Sequence, residues 1–196
     1  MLSAVALGLL QGARHSIEPD HLAAVTVLVG TSGGARPSAW LGAVWGAGHT
    51  LSLVLVSVAL LVIGESLPDD ADRAFAIGVG IMLVALGLRA LRGDDRAAAV
   101  RPTRSAYGAL VVGAIHGLAG SSALTAMVFA SLPSDGSRLA YITLFGAGSV
   151  IGMAVVSAAA GQWLHRVTQP RILSGLRWVI AGISIAIGVQ TVVAQL

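Results

Sequence analysis

Six long apolar stretches, at about 2–29, 38–64, 74–91, 106–132, 139–164 and 172–195, follow one another along the chain with short polar or charged breaks between them. Each approaches or exceeds the about 20 residues a helix needs to cross a hydrocarbon core, and each is far longer than a barrel strand of about 10. None sustains the apolar/polar alternation of a barrel strand. The pattern predicts an all-α integral membrane protein of six transmembrane helices with no soluble domain. Composition agrees: of 196 residues 56% are hydrophobic and only 11% charged, under half the charged share of an ordinary soluble domain.

Charge adds orientation. The isoelectric point near 10.6 could mean a nucleic-acid partner, but the twelve basic residues are all Arg and cluster in alternate loops. Arg36 follows the first span, Arg89, Arg92, Arg96, Arg101 and Arg104 surround the third break, and Arg166, Arg171 and Arg177 the fifth; the other side has only Arg73 and Arg138. The positive-inside rule makes the Arg-rich loops cytoplasmic and sends both termini outward. A multi-pass protein of the cell membrane, with the lipid bilayer and no nucleic acid as partner, is expected. No basic residue precedes the first apolar run, so it is expected to remain as a span rather than act as a cleaved signal peptide. There is no cysteine, which excludes disulfides, thiolate metal sites and a dithiol relay.

The chain also repeats itself. "GARHSIEPDHLAAVT" (12–26) aligns with "GAIHGLAGSSALTAM" (113–127), and "WGAGHTLSLVLVS" (45–57) with "FGAGSVIGMAVVS" (145–157). The offset stays at 100 or 101 positions. A unit of three spans is odd, so its second copy enters the membrane from the opposite face and the halves relate by a pseudo-two-fold axis in the membrane plane. The expected organisation is a first three-helix repeat at 1–92, a cytoplasmic linker at 93–104 and a second, inverted repeat at 105–196. The first helix of each repeat is interrupted, at Pro19 and at Gly120. In transporters built this way, such paired interruptions point to the substrate site.

One stretch carries the chemistry. "RHSIEPDHLAAV" (14–25) sets Arg14, His15, Glu18, Pro19, Asp20 and His21 inside an apolar span. Each of Arg14, Glu18 and Asp20 would cost about 2.5–3.5 kcal/mol at a helix centre, roughly 8–10 together. Arg14 and Glu18 are four apart and are expected to pair. Pro19 gives no N–H to the carbonyl of His15 and presses against it. The helix is expected to bend or open there, bringing Asp20 inward and freeing a backbone oxygen. Imidazole nitrogen and carboxylate oxygen without thiolate suit a divalent ion such as Ni²⁺, Co²⁺ or Zn²⁺. His49, between small residues in "WGAGHT", and His116, the repeat-mate of His15, extend the set. The metal-handling candidates are therefore His15, Glu18, Asp20, His21, His49 and His116. Ser121 and Ser122 stand where the first half has Asp20 and His21, and Ser149 stands where it has His49; their hydroxyls are candidates for orienting ligands or water.

"RHSIEPDHLAAV" resembles the signature of the nickel/cobalt permease superfamily, Arg-His-Ala-x-Asp-Ala-Asp-His-Ile, and "GAGHTLSLVLV" looks like its second signature. "GAIHGLAGSSAL" is similar to the matching segment of the short urease-accessory membrane proteins. The resemblance implies metal handling by His15, Asp20, His21 and His49, with Glu18 where Asp is usual and Ser16 and Pro19 where Ala is usual.

The expected function is transport of Ni²⁺ or Co²⁺ through a central His/carboxylate site by alternating access, the metal being cargo and no resident cofactor being needed. A non-transporting accessory subunit that delivers metal to a metallochaperone or metalloenzyme-maturation partner is the alternative. Export of a small anionic solute would need a positive centre, for which Arg14 is the sole candidate against two acids. An enzyme is not expected: a zinc protease helix needs His-Glu-x-x-His, whereas the spacing here is His-x-x-Glu-x-x-His.

Overall fold

The computed structural model describes residues 2–29, 34–63, 67–92, 102–119, 124, 127–128, 131–167 and 170–196. Seven helices lie among them: α1 (Leu2–His15), α2 (Pro19–Val29), α3 (Ala35–Ile63), α4 (Asp69–Leu91), α5 (Pro102–Ala119), α6 (Asp135–Arg166) and α7 (Pro170–Val193). No strand occurs among the described residues. Helices α3, α4, α6 and α7 are long and apolar enough to cross a membrane, while α2 and the Ala106–Ala119 part of α5 are apolar but shorter. The stretch expected as one bent span at 2–29 is two helices. The counterpart interruption at Gly120, with Ser121 and Ser122, lies outside the described residues, as does most of the 93–104 linker.

Helix starts follow local chemistry. All six prolines fall within the first turn of a helix or just before it, where a missing N–H breaks no helical bond. Ser134 and Ser137 form a reciprocal capping box that opens α6, satisfying two donors that would otherwise be orphaned. Asp69, Asp70 and Asp72 lie in the first turn of α4, Arg89 in its last turn, and Arg166 in the last turn of α6. Each sign complements the helix dipole.

Within lipid, helices gain nothing hydrophobic from meeting each other, so close backbone approach must hold them. Glycines supply it here. A Cβ on Gly48 of α3 would strike the carbonyl of Leu110 on α5, and one on Gly148 of α6 would strike that of Leu9 on α1. Likewise Gly12 of α1 abuts the Phe145 carbonyl on α6, and Gly113 of α5 the Trp45 carbonyl on α3. These are the positions the sequence repeat aligns, with partners exchanged between the halves. Between α4 and α7, Gly80 and Gly188 each meet the other's carbonyl, and Ser184 Oγ donates to the Leu83 carbonyl at 2.8 Å.

The outer faces are apolar too: Trp40, Leu51, Leu55 and Val62 are exposed, Val62 by 82%, as suits side chains that meet lipid rather than water. Inside this ring, short α2 is a central plug. Its Ala23, Ala24, Val25 and Val29 are buried, and it packs against α3, α4, α6 and α7.

Candidate metal centre

Residues 16–18, between α1 and α2, form a tight turn in which Ile17 N–H donates to the Arg14 carbonyl and Glu18 N–H to the His15 carbonyl, both at 3.1 Å. Ser16 is buried, its hydroxyl donating to the Ala13 carbonyl at 2.6 Å. Pro19 is the first residue of α2, and the Glu18 carbonyl accepts from Leu22 N–H at 2.9 Å. The break thus satisfies its own backbone, as irregular chain inside a membrane must.

Two expectations are corrected by this turn. The carbonyl of His15 is not freed by Pro19, because Glu18 N–H occupies it. Glu18 does not pair with Arg14: its Oε2 lies 3.0 Å from His15 Nδ1, while Arg14 is exposed. Pairing at four residues' spacing needs a continuous helix, and α1 ends at His15. Arg14 is therefore not held at the centre by that pairing.

The turn delivers Asp20 and His21 to the place where His49 of α3 and His116 of α5 arrive. His21, His49 and His116 are buried. Ring centroids are 4.3 Å apart for His15 and His21, 4.3 Å for His21 and His116, and 5.3 Å for both His15–His49 and His21–His49. Three of the chain's four other histidines thus gather around His21. The fourth, His165, is exposed near the end of α6.

Asp20 links the two halves of the chain. Its Oδ1 lies 3.0 Å from His21 Nδ1 and accepts from His21 N–H at 2.9 Å, while Oδ2 lies 2.9 Å from His116 Nε2. Among the described residues, His21 Nε2, His116 Nδ1 and both ring nitrogens of His49 are buried without a hydrogen-bond partner. One donor atom from each of His15, His21 and His49 lies within 4.8 Å of the others, and so does one from each of Asp20, His21 and His116. Either trio could close on a cation with small side-chain movements. Glu18, 53% exposed, belongs to neither.

A cavity of about 130 Å³ adjoins the centre, lined by His15, Glu18, Asp20, His21, His116 and Ala119. One water needs about 10–15 Å³ of such space, so a partly hydrated ion fits. His49 is not in that lining and is fully buried.

Ser149, expected near the ligands, donates instead to the Gly12 carbonyl at 3.2 Å and ties α6 to α1. Two neighbours of the centre were not singled out from sequence. The Trp45 ring lies 5.4 Å from His21 and 5.8 Å from His116, and Phe145 lies 5.4 Å from His15. The repeat alignment already matched Trp45 with Phe145 and His116 with His15, which was the available signal.

Comparison with known proteins adds a relationship. The urease accessory protein UreH of Bacillus sp. (strain TB-90) is 30% identical to the chain over 168 residues, covering 78% of this chain and 74% of that protein. Two Arabidopsis thaliana proteins, chloroplast protein FOR GROWTH AND FERTILITY 2 and 1, are 24% identical over 215 residues and 26% over 213, covering 100% and 95% of this chain. The chain spans only 57% and 58% of those two proteins. No family model and no solved structure matches the chain.

Proposed function

The chain belongs to the family of the urease accessory protein UreH, and on that premise we propose that it carries a divalent transition-metal cation, Ni²⁺ or Co²⁺, across the membrane through the His/carboxylate centre. The observation that carries this reading is the gathering of His15, His21, His49 and His116 in one place, His21 and His116 on the partly buried Asp20, with buried ring nitrogens left without a partner among the described residues. Intramembrane ionisable groups are expensive and by default functional. Neutral imidazole with a carboxylate favours the borderline later first-row ions over Mg²⁺ or Ca²⁺.

The motion we infer is alternating access between two inverted three-helix halves, each with an interrupted first helix, both termini outside. The exchanged glycine contacts of α1 with α6 and α3 with α5 support that symmetry, and the arginine distribution supports the orientation. The chain acts in this reading without catalysing a reaction and without a resident cofactor.

The test is uptake of radiolabelled Ni²⁺ by proteoliposomes holding the full chain, competed with Co²⁺, Zn²⁺ and Mn²⁺. Saturable uptake that Co²⁺ competes and His21→Ala abolishes is expected; uptake indifferent to that substitution would sink the proposal. A second reading, favoured by the word accessory in the relative's name, is delivery of the metal to a metalloenzyme-maturation partner without independent transport. Ni²⁺ binding with no uptake until such a partner is added would select it.

A further inference from the structure

We propose that Asp20 and Glu18 are positioning carboxylates rather than ligands, and that the cation is held by an all-imidazole trio of His15, His21 and His49. This rests on the metal reading above and specifies which atoms meet the metal.

The hydrogen bonds dictate the assignment. A carboxylate oxygen can only accept, so each imidazole nitrogen it touches carries the proton, and the lone pair lies on the other nitrogen of that ring. Asp20 Oδ1 is 3.0 Å from His21 Nδ1 and Glu18 Oε2 is 3.0 Å from His15 Nδ1. The lone pairs of both rings are thereby on Nε2, and His21 Nε2 is buried with no partner among the described residues. His49 has no carboxylate beside it, and neither of its nitrogens has a partner among those residues. Donor atoms of these three rings lie within 4.8 Å of one another.

Metal-binding histidines commonly donate their second N–H to a carboxylate, which fixes the tautomer and makes the ring a better donor. Glu18 and Asp20 stand in that relation to His15 and His21. Both oxygens of Asp20 are already engaged, one by His21 and the other by His116. His116 accordingly acts as a clamp from the second half of the chain, holding Asp20 against His21. In the rival trio the cation would take the place of the imidazole protons that now lie between Asp20 and these two rings.

Selectivity follows from this arrangement. A neutral three-imidazole site offers little to hard cations that require oxygen, and suits Ni²⁺, Co²⁺, Cu²⁺ or Zn²⁺.

The assignment is tested by X-ray absorption at the nickel edge on the purified full chain loaded with Ni²⁺ alone, together with titration of affinity. Three imidazoles are expected in wild type and in His116→Gln, and two in His49→Gln. Asp20→Asn should weaken binding by about 10–100-fold, the effect of losing an outer partner, while the imidazole count stays at three. Should Asp20→Asn fail to fold, wild type and the two histidine variants still decide. A wild-type spectrum of two imidazoles and a carboxylate, losing an imidazole in His116→Gln but not in His49→Gln, overturns this inference and leaves the transport reading standing. A wild-type chain that binds no Ni²⁺ overturns both.

Discussion

His116 and Asp20 come from segments 96 residues apart, and the His116 Nε2 meets Asp20 Oδ2 at 2.9 Å. The contact is a direct chemical tie between the second half of the chain and Asp20 of the first. Removing the imidazole leaves that oxygen with the cavity for company. His116→Ala should therefore lower Ni²⁺ affinity about tenfold or more while the helices stay assembled. Calorimetry in detergent alongside circular dichroism checks both halves of that statement; unchanged affinity would deny His116 its role.

His21 and His165 make a matched comparison. His21 is buried at the meeting point of the other rings, and His165 is exposed near a helix end. His21→Ala should remove measurable Ni²⁺ uptake, and His165→Ala should leave it unchanged. Equal losses from the two would point to a general effect of histidine removal and not to the centre.

Glycine substitutions should divide by location. In Gly148→Ala the new methyl would run into the Leu9 carbonyl, whereas in Gly108→Ala it meets nothing within 4 Å. Overpacking against backbone costs about 1–3 kcal/mol, and an open helical Gly→Ala gains up to about 1 kcal/mol. Thermal unfolding in one detergent should show a lower Tm for the first and an equal or higher Tm for the second.

Acid should compete with the cation. Imidazole nitrogen binds metal only when it is not protonated, and binding expels protons from rings that hold them. Affinity should therefore fall once the medium is acid enough to protonate the rings. Titrations in buffers of different ionisation enthalpy should show protons released on binding at the lower pH. Affinity that stays level down to the acid limit of the fold would mean that the rings do not contact the ion.

The hydrophobic pattern located the long helices, though it drew their ends short. Helix α6 runs from Asp135 to Arg166 and α4 starts at Asp69, because capping serines and dipole-matched charges extend a helix beyond its apolar stretch. Pro19 announced the break between α1 and α2. The consequence of that break was harder to read: pairing Arg14 with Glu18 assumed helical spacing through residues that form a turn. The clamp of His116 on Asp20 joins sites that only packing brings together, and no local spacing rule reaches that far. Trp45 and Phe145 were overlooked because an aromatic ring in an apolar helix looks like ordinary packing until its neighbours are known.

His49 lies wholly enclosed, neither ring nitrogen having a hydrogen-bond partner among the described residues, a loss that a bound ion would relieve. A ligand that favours the native state at one hundred times its Kd adds about 2.7 kcal/mol to stability. The bundle should then persist longer in cells supplied with nickel and succumb sooner to proteolysis in starved ones. Pulse-chase turnover with and without added nickel, in wild type and His49→Gln, would expose that coupling, which only the unsubstituted chain should display.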